Sequence, residues 1–334
     1  MAHKIERWAN AVDWGRVAPL RLRARAVADG VFAGAHRSRR RGPGVEFGGH
    51  RPYVPGDDLR WIDRHALMRH DRLTVRLFET ETDRGLHLLL DATASMGFRG
   101  KEAPSAKIGF AALLAAVLAR VALSAGDPVS LNWIGGRGAH PVPPSATSET
   151  FDRVVQSLGA LQATGDVRYD ATAFERAMQP IAHRARRGAS IVLLSDLLDL
   201  PDGALERFSA LGTQGRRLIA VQTLDREELT FPYHGTVRLA AMEGDVVVET
   251  DADTTRERYI QALETWTQRW THKLAARGGD LLRVPTDDDP VDGVVRILGS
   301  IAGNTAGNTA GNTAGNTAGD RARTTSASTT GKPA

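Results

Sequence analysis

The sequence contains no cysteine, few aromatic residues and no very long apolar run. The absence of cysteine excludes disulfides, thiolate metal sites and cysteine nucleophiles, and it permits a reducing compartment. The longest apolar run, residues 108–119, is shorter than the roughly 20 residues of a membrane-spanning helix, so we expect a core helix there. No N-terminal apolar segment resembles a signal peptide. We therefore expect a cytoplasmic protein without a membrane span.

Positive charge is concentrated near the N-terminus. Residues 1–44 carry ten Lys or Arg and three acidic residues, whereas the whole chain has a net charge of +4. A basic segment can attract nucleic acid, anionic lipid or an acidic protein surface. Nucleic-acid binding through the arginines of residues 37–41 would rest on charge alone. The simpler interpretation is a solvated basic segment, and nucleic acid is not the expected partner.

Short apolar strands alternate with helices over residues 85–301, and this alternation predicts a mostly parallel, doubly wound α/β sheet. The apolar runs predict strands at 86–91, 129–134, 190–195, 217–222 and 280–284. A loop rich in glycine and proline is expected to extend to residue 145, and a hairpin is expected over 237–249. The helices are expected at about 105–124, 146–161, 172–187, 204–211, 259–276 and 291–301.

The two ends of the chain differ in character from this central domain. Residues 1–35 are expected to be a basic helical segment with a break near Pro19, and residues 36–84 a turn-rich region with a strand at 73–78. From residue 302 the unit Ala-Gly-Asn-Thr occurs four times, and a Ser/Thr-rich end follows. Residues 302–334 have no hydrophobic period to repay ordering entropy, so a disordered tail is predicted.

Oxygen-bearing side chains follow two of the predicted strands and precede one helix. Asp91, Thr93 and Ser95 come at the end of the first strand, Asp196 ends the 190–195 strand, and Thr172 begins a helix. In an open α/β sheet, ligands bind beyond the carboxyl ends of the strands, so these groups are expected to converge. Hard oxygen donors suit Mg²⁺ or Mn²⁺. Ordinary turn and N-cap roles would also explain the same residue types.

The sequence resembles a known family. The segments that carry the resemblance are GVEFGGHRPYVPGDDLRWID at 44–63, HALMRHDRLTVRLFETE at 65–81, and DATAS and LLSD at two strand ends. They resemble family 58 of the domains of unknown function, bacterial proteins with a von Willebrand factor type A-like domain. Arg64 departs from the tryptophan that this family usually has there.

The resemblance implies an α/β fold of the von Willebrand type with a metal-ion-dependent adhesion site. Its metal ligands would be Asp91, Thr93, Ser95, Thr172 and Asp196. It also implies a role as an adaptor or assembly factor working with a MoxR-type AAA+ ATPase. Thr93 replaces the serine of the first motif and keeps its hydroxyl, whereas the stretch around Thr172 lacks the usual Gly-Gly-Thr and makes Asp170 a competing donor.

Two enzymatic functions are alternatives to the adaptor, and the sequence supports each of them less well. A phosphatase using Asp91 as nucleophile would need a second acid two residues later, where Thr93 stands and cannot donate a proton at neutral pH. A metal-dependent hydrolase built on the cluster Asp63, His65, His70 and Asp71 lacks a supporting HExxH pattern. We therefore expect a non-enzymatic, metal-dependent adaptor whose cation accepts a carboxylate from the partner.

Overall fold

The computed structural model describes residues 17–38, 50–52, 74–76, 85–242 and 246–303. Within these residues the strands are β1 (His50–Pro52), β2 (Thr74–Arg76), β3 (Leu86–Ala92), β4 (Val129–Gly135), β5 (Val142–Ser145), β6 (Ser190–Ser195), β7 (Arg217–Gln222), β8 (Thr236–Ala240), β9 (Val247–Asp251) and β10 (Asp280–Arg283). The helices are α1 (Val17–Ser38), α2 (Lys107–Ser124), α3 (Thr150–Ala160), α4 (Ala171–Arg184), α5 (Ala204–Ala210), α6 (Arg226–Thr230), α7 (Ala252–Ala275) and α8 (Pro290–Ile301).

Six strands form one sheet in the order β10-β7-β6-β3-β4-β5. Every neighbouring pair is parallel except β4 and β5, which pair antiparallel at the edge. Read from β5 to β10 and numbered along the chain, the six strands lie in the order third-second-first-fourth-fifth-sixth. This is the doubly wound arrangement, with a topological switch point between the first and fourth strands. The predicted α/β fold with a mostly parallel, doubly wound sheet is confirmed.

The sheet is buried on both faces, which is why its central strands are mostly apolar rather than strictly alternating. Every residue of β3 and β6 is buried. One face packs on α1, α2, α3 and α8 in a single apolar cluster, and the other packs on α4, α5 and α7 in a second cluster. Helix α1 contributes Leu20, Ala24, Ala28 and Val31 to the first cluster.

Helix α2 is apolar nearly all round, as its position between the sheet and helices α1, α3 and α8 requires. By length and composition it is long and apolar enough to cross a membrane, but 72% of it is buried inside the fold. It is the core helix that the sequence predicted over residues 108–119. The other helices in the described ranges do not meet that criterion of length and composition.

Four predicted elements differ in the structure. The loop expected up to residue 145 contains the edge strand β5, which includes Pro143 and Pro144 because an edge strand tolerates residues that lack an N–H. Helix α7 begins at Ala252 rather than 259 because the Asp251 side chain accepts a hydrogen bond from Thr254 N at 3.0 Å.

Helix α1 begins at Val17 and contains Pro19 in its first turn, where proline is tolerated, so there is no break at that position. The expected strand at 73–78 is the shorter β2. The predicted helix before Val17, the turn-rich segments around β1 and β2, the cluster from Asp63 to Asp71 and the tail beyond Gly303 lie outside the described residues.

The hairpin of β8 and β9 forms a separate two-stranded sheet. It lies where the sequence predicted a hairpin, and its strands pair antiparallel from Thr236 with Asp251 to Ala240 with Val247. Its end exposes apolar side chains at Met242, Val246, Val247 and Val248.

Candidate functional site

The switch point of the sheet lies between β3 and β6, and both strands end in a carboxylate. Asp91 is the sixth residue of β3, and Asp196 directly follows β6. The chain leaves these two strands toward opposite faces of the sheet, so the carboxyl ends bound a crevice in which α/β proteins bind ligands. Asp91 and Asp196 are almost completely buried, with 1% and 0% of their surfaces exposed.

Asp91 lies at the centre of a chain of hydrogen-bonded oxygens. Its Oδ1 accepts hydrogen bonds from Thr93 N at 3.0 Å and from Thr93 Oγ1 at 2.7 Å. Thr93 Oγ1 lies 3.0 Å from Ser95 Oγ. Asp91 Oδ2 accepts a hydrogen bond from Ser195 Oγ at 2.5 Å. The structure thus brings together three of the predicted ligands, Asp91, Thr93 and Ser95, and adds Ser195.

The loop after β6 is held by several hydrogen bonds around Asp196. Ser195 Oγ accepts from Leu197 N at 2.8 Å, and Asp196 Oδ1 accepts from Leu198 N at 3.0 Å. Leu197 has a φ of 65°, a left-handed conformation that costs a non-glycine residue about 1–2 kcal/mol. Trp266 of α7 donates its Nε1–H to the Leu197 carbonyl at 2.7 Å and so helps to fix this conformation. Such strain, over-determined by its surroundings, is common at functional sites.

Lys107, the first residue of α2, was not among the predicted site residues. Its side chain is completely buried, and its ammonium donates to Asp196 Oδ2 at 2.8 Å and to Glu228 Oε1 at 2.6 Å. The one sequence signal was a lysine at the head of a helix that is apolar all round, because a charge buried there must find a partner. Asp196 is close enough to Asp91 for its charge to act on that carboxyl, but the Asp196 carboxylate is already paired with the ammonium of Lys107.

The electrostatics of the site reflect its burial. Burial first, and then the nearby negative charge of Asp196, raise the pKa of Asp91 to about 6, although hydrogen bonds from Ser195 and Thr93 oppose the change. Burial likewise raises the pKa of Glu228. Burial alone would lower the pKa of Lys107, but Asp196 and Glu228 outweigh it and hold that pKa above its ordinary value. The ammonium is therefore charged at neutral pH.

Thr172 is not joined to this cluster by any hydrogen bond that the described residues show. Its hydroxyl is exposed and donates to Asp170 Oδ1 at 2.5 Å. Asp170 is the N-cap of α4, because its side chain accepts from Ala173 N at 3.0 Å. The competing donor expected at Asp170 thus has a capping role, and Thr172 as a metal ligand stays a prediction.

The donor set fits a hard divalent cation by its chemistry. No group of three or more His, Cys, Asp or Glu that could hold a metal occurs in the described part of the chain. The predicted site does not depend on such a group, because hydroxyls supply most of its oxygens. Asp196 and Glu228 share the ammonium of Lys107, and the negative charge of Asp196 acts on Asp91. When ionised, these three carboxylates and the one ammonium carry two negative charges in excess, which one divalent cation would balance.

Several solved structures resemble this fold at low identity. BatB from Bacteroides thetaiotaomicron is 15% identical with a TM-score of 0.40, over 66% of this chain and 98% of that one. An aerotolerance-related membrane protein from Bacteroides fragilis is also 15% identical, with a TM-score of 0.39 over the same shares. The SpRpn10 VWA domain is 10% identical with a TM-score of 0.35, over 64% of this chain and 94% of that one.

The predicted cytoplasmic location is wrong, because structural neighbours of this chain are described as membrane proteins. The Bacteroides fragilis structure is described as a membrane protein, and a structure from Vibrio fischeri is described as an uncharacterized membrane spanning protein. The latter is 14% identical with a TM-score of 0.22, over 65% of this chain and 98% of that one. The sequence argument failed because the lack of an evident apolar anchor excludes only one route to a membrane.

Sequence relatives cover most of the chain. Uncharacterized proteins of Mycobacterium bovis and Mycobacterium tuberculosis are each 27% identical over 284 residues, which is 84% of this chain and 87% of theirs. Residues 49–269 match the family described as Protein of unknown function DUF58, and the chain belongs to that family.

Proposed function

We propose that this chain is a non-enzymatic adaptor that binds a partner protein through a divalent cation at the switch point of its sheet. The observation that carries the proposal is the convergence of Asp91, Thr93 and Ser95 into one hydrogen-bonded oxygen cluster beside a second carboxylate, Asp196. The fold and the family favour protein interaction as the broad role.

The residues that would hold Mg²⁺ or Mn²⁺ are Asp91, Thr93 and Ser95, with Asp196 and Thr172 as further ligands. Asp91 supplies negative charge, and the hydroxyls supply neutral oxygens of the kind that these ions prefer. A cation bound mostly by neutral oxygens keeps charge to share with one more carboxylate, and an Asp or Glu of the partner would supply it.

The residue two positions after Asp91 supports an adaptor rather than a hydrolase. A phosphatase that used Asp91 as its nucleophile would need a second acid there to protonate the leaving group. The hydroxyl of Thr93 stands at that second position.

The partner that we propose is a MoxR-type AAA+ ATPase, as the family resemblance implies. The decisive experiment is capture of such an ATPase from native lysate on the tagged full-length chain. The ATPase itself requires Mg²⁺, so a comparison of Mg²⁺ with EDTA alone cannot distinguish the two metal sites. The comparison must therefore be made at constant Mg²⁺ between wild type and Asp91→Asn, which keeps the shape of the side chain and removes its charge.

A matched control removes one carboxylate charge at the other end of the strands, away from Asp91. Glu149 is exposed and precedes α3, which follows the antiparallel strand β5 and therefore begins near the amino ends of the parallel strands. We expect Asp91→Asn to lose the ATPase and Glu149→Gln to retain it. Equal capture by Asp91→Asn and wild type would overturn the proposal.

A further inference from the structure

The ammonium of Lys107 lies where two elementary effects oppose it. The side chain is completely buried, and burial disfavours a charge. It is also the first residue of α2, and the N-terminus of a helix repels cations. Two carboxylates from distant parts of the chain, Asp196 and Glu228, meet it at 2.8 and 2.6 Å. A buried cation at the N-terminus of a helix is unfavourable on its own. We therefore look for its role at the adjoining switch-point site, which contains Asp196.

We propose that Lys107 is the built-in counter-cation of the switch-point site and sets how strongly that site binds a divalent ion. The proposal rests on the function proposed above, because it concerns the same site. Lys107 neutralises Asp196 from within the chain, so the ammonium competes with a divalent cation for that carboxylate. Lys107 is thus a positioning residue that regulates affinity rather than a ligand.

The hydrogen bonds of Asp196 show how the competition works. Lys107 holds Oδ2, and Oδ1 already accepts the N–H of Leu198 at 3.0 Å. Asp91, in contrast, accepts only uncharged donors in the contacts of the described residues. A divalent ion therefore meets one available carboxylate at Asp91 and a second that it must share with an ammonium. Both the shared ligand and the repulsion between cations lower its affinity.

Glu228 adjusts this balance from the other side. Its Oε1 shares the ammonium with Asp196, while its Oε2 accepts the backbone N–H of Asp225 at 2.8 Å in the capping box of α6. The ring of Phe98 also lies near the ammonium, with its centroid 5.8 Å away. Because α6 is anchored to Lys107, a partner that moved α6 would alter the charge that Asp196 presents to the ion.

The test is calorimetric titration of Mg²⁺ into the full-length chain, with Mn²⁺ as a second ion. The variants are Lys107→Met, the double variant Lys107→Met/Glu228→Gln, and Lys101→Met as the matched control. Lys101 is an exposed lysine on the loop before α2, so its replacement changes the same charge where solvent screens it. Thermal unfolding with and without Mg²⁺ gives a second readout, because ligand binding stabilises the folded state.

We expect Lys107→Met to bind Mg²⁺ about tenfold more tightly than wild type or better, since it frees Asp196 and removes a nearby positive charge. Lys101→Met should differ from wild type by less than about twofold. In the double variant Glu228→Gln removes the charge that Lys107→Met alone would leave without a partner. If Lys107→Met does not fold, the double variant therefore serves as the test. Its affinity should also exceed that of wild type, because Asp196 is released in it as well.

The outcomes separate the two proposals. Tight binding by the Lys107 variants with no binding by wild type would support the role of Lys107 and overturn metal-dependent function in the natural chain. Equal affinities for wild type and both Lys107 variants would overturn the role of Lys107 and leave the proposed function standing. The absence of binding in every protein would overturn both.

Discussion

Replacing Asp91 by asparagine should stabilise the metal-free protein at alkaline pH. Burial and the neighbouring charge of Asp196 raise the pKa of Asp91 from 3.8 to about 6. In the unfolded chain the group ionises more readily, so the folded state binds its proton more tightly. This contribution to stability is therefore fully present below pH 3.8 and is lost as the pH rises through about 6.

The size of the effect follows from the same two values. The difference between 3.8 and about 6 corresponds to about 3 kcal/mol of unfolding free energy lost between pH 3.8 and pH 8. An asparagine amide carries no charge and so avoids this loss. Its carbonyl can accept the two hydrogen bonds from Thr93, but its NH₂ faces Ser195 Oγ, which already accepts from Leu197 N. The imperfect contact costs about 1 kcal/mol, which leaves about 2 kcal/mol of net stabilisation at pH 8.

Urea unfolding in EDTA at several pH values between 4 and 8 measures this difference. Asp91→Asn should be more stable than wild type at pH 8, and the advantage should disappear near pH 4. Added Mg²⁺ should stabilise wild type but not the variant. Glu149→Gln, an exposed change of the same kind, should show neither pattern. A variant that is less stable than wild type at pH 8, or a difference independent of pH, would refute the reasoning.

Three further substitutions test other parts of the site. Lys107→Met should lower the unfolding free energy by about 3–5 kcal/mol, because it leaves Asp196 and Glu228 buried without their cation, and adding Asp196→Asn should recover part of the loss in the same urea titration. Trp266→Phe removes the donor to the Leu197 carbonyl and should lower the unfolding free energy, measured by chemical denaturation, by about 1–3 kcal/mol. A decrease of less than a few tenths of a kcal/mol would show that this hydrogen bond does not hold the strained loop. Gly136→Ala should lower the unfolding free energy by more than about 1 kcal/mol, because Gly136 has a φ of +67° and an added Cβ would lie 2.7 Å from the Cβ of Ala92. Gly126 also has a positive φ but has open space around it. Comparing the thermal unfolding of Gly136→Ala with that of Gly126→Ala therefore isolates the steric part.

The fold could be predicted from the sequence where the apolar periods are long. Apolar runs form the middle of β3, β6 and β7, and the apolar run at 108–119 lies within the core helix α2. Edge strand β5 was missed because its two prolines indicate a loop to any local rule, and only the pairing with β4 makes them part of a sheet.

The site was predictable only in part, for a related reason. Residues that follow the ends of parallel strands must meet at one edge, so the approach of Asp91 and Asp196 followed from topology. The pairing of Asp196 with Lys107 joins residues 89 positions apart, and no local pattern reports it. Thr172 was placed by its motif, but the structure shows its hydroxyl bonded to the helix cap at Asp170.

The prolines of β5 also limit how the sheet can associate with other chains. An exposed sheet edge is a template on which a foreign strand can assemble through main-chain hydrogen bonds. Pro143 and Pro144 remove two donors from the four-residue strand at this edge. Association by strand addition, whether with a binding peptide or in aggregation, is therefore disfavoured along β5. The prolines thus protect this edge of the sheet against unintended polymerisation while leaving the carboxyl ends of β3 and β6 unchanged.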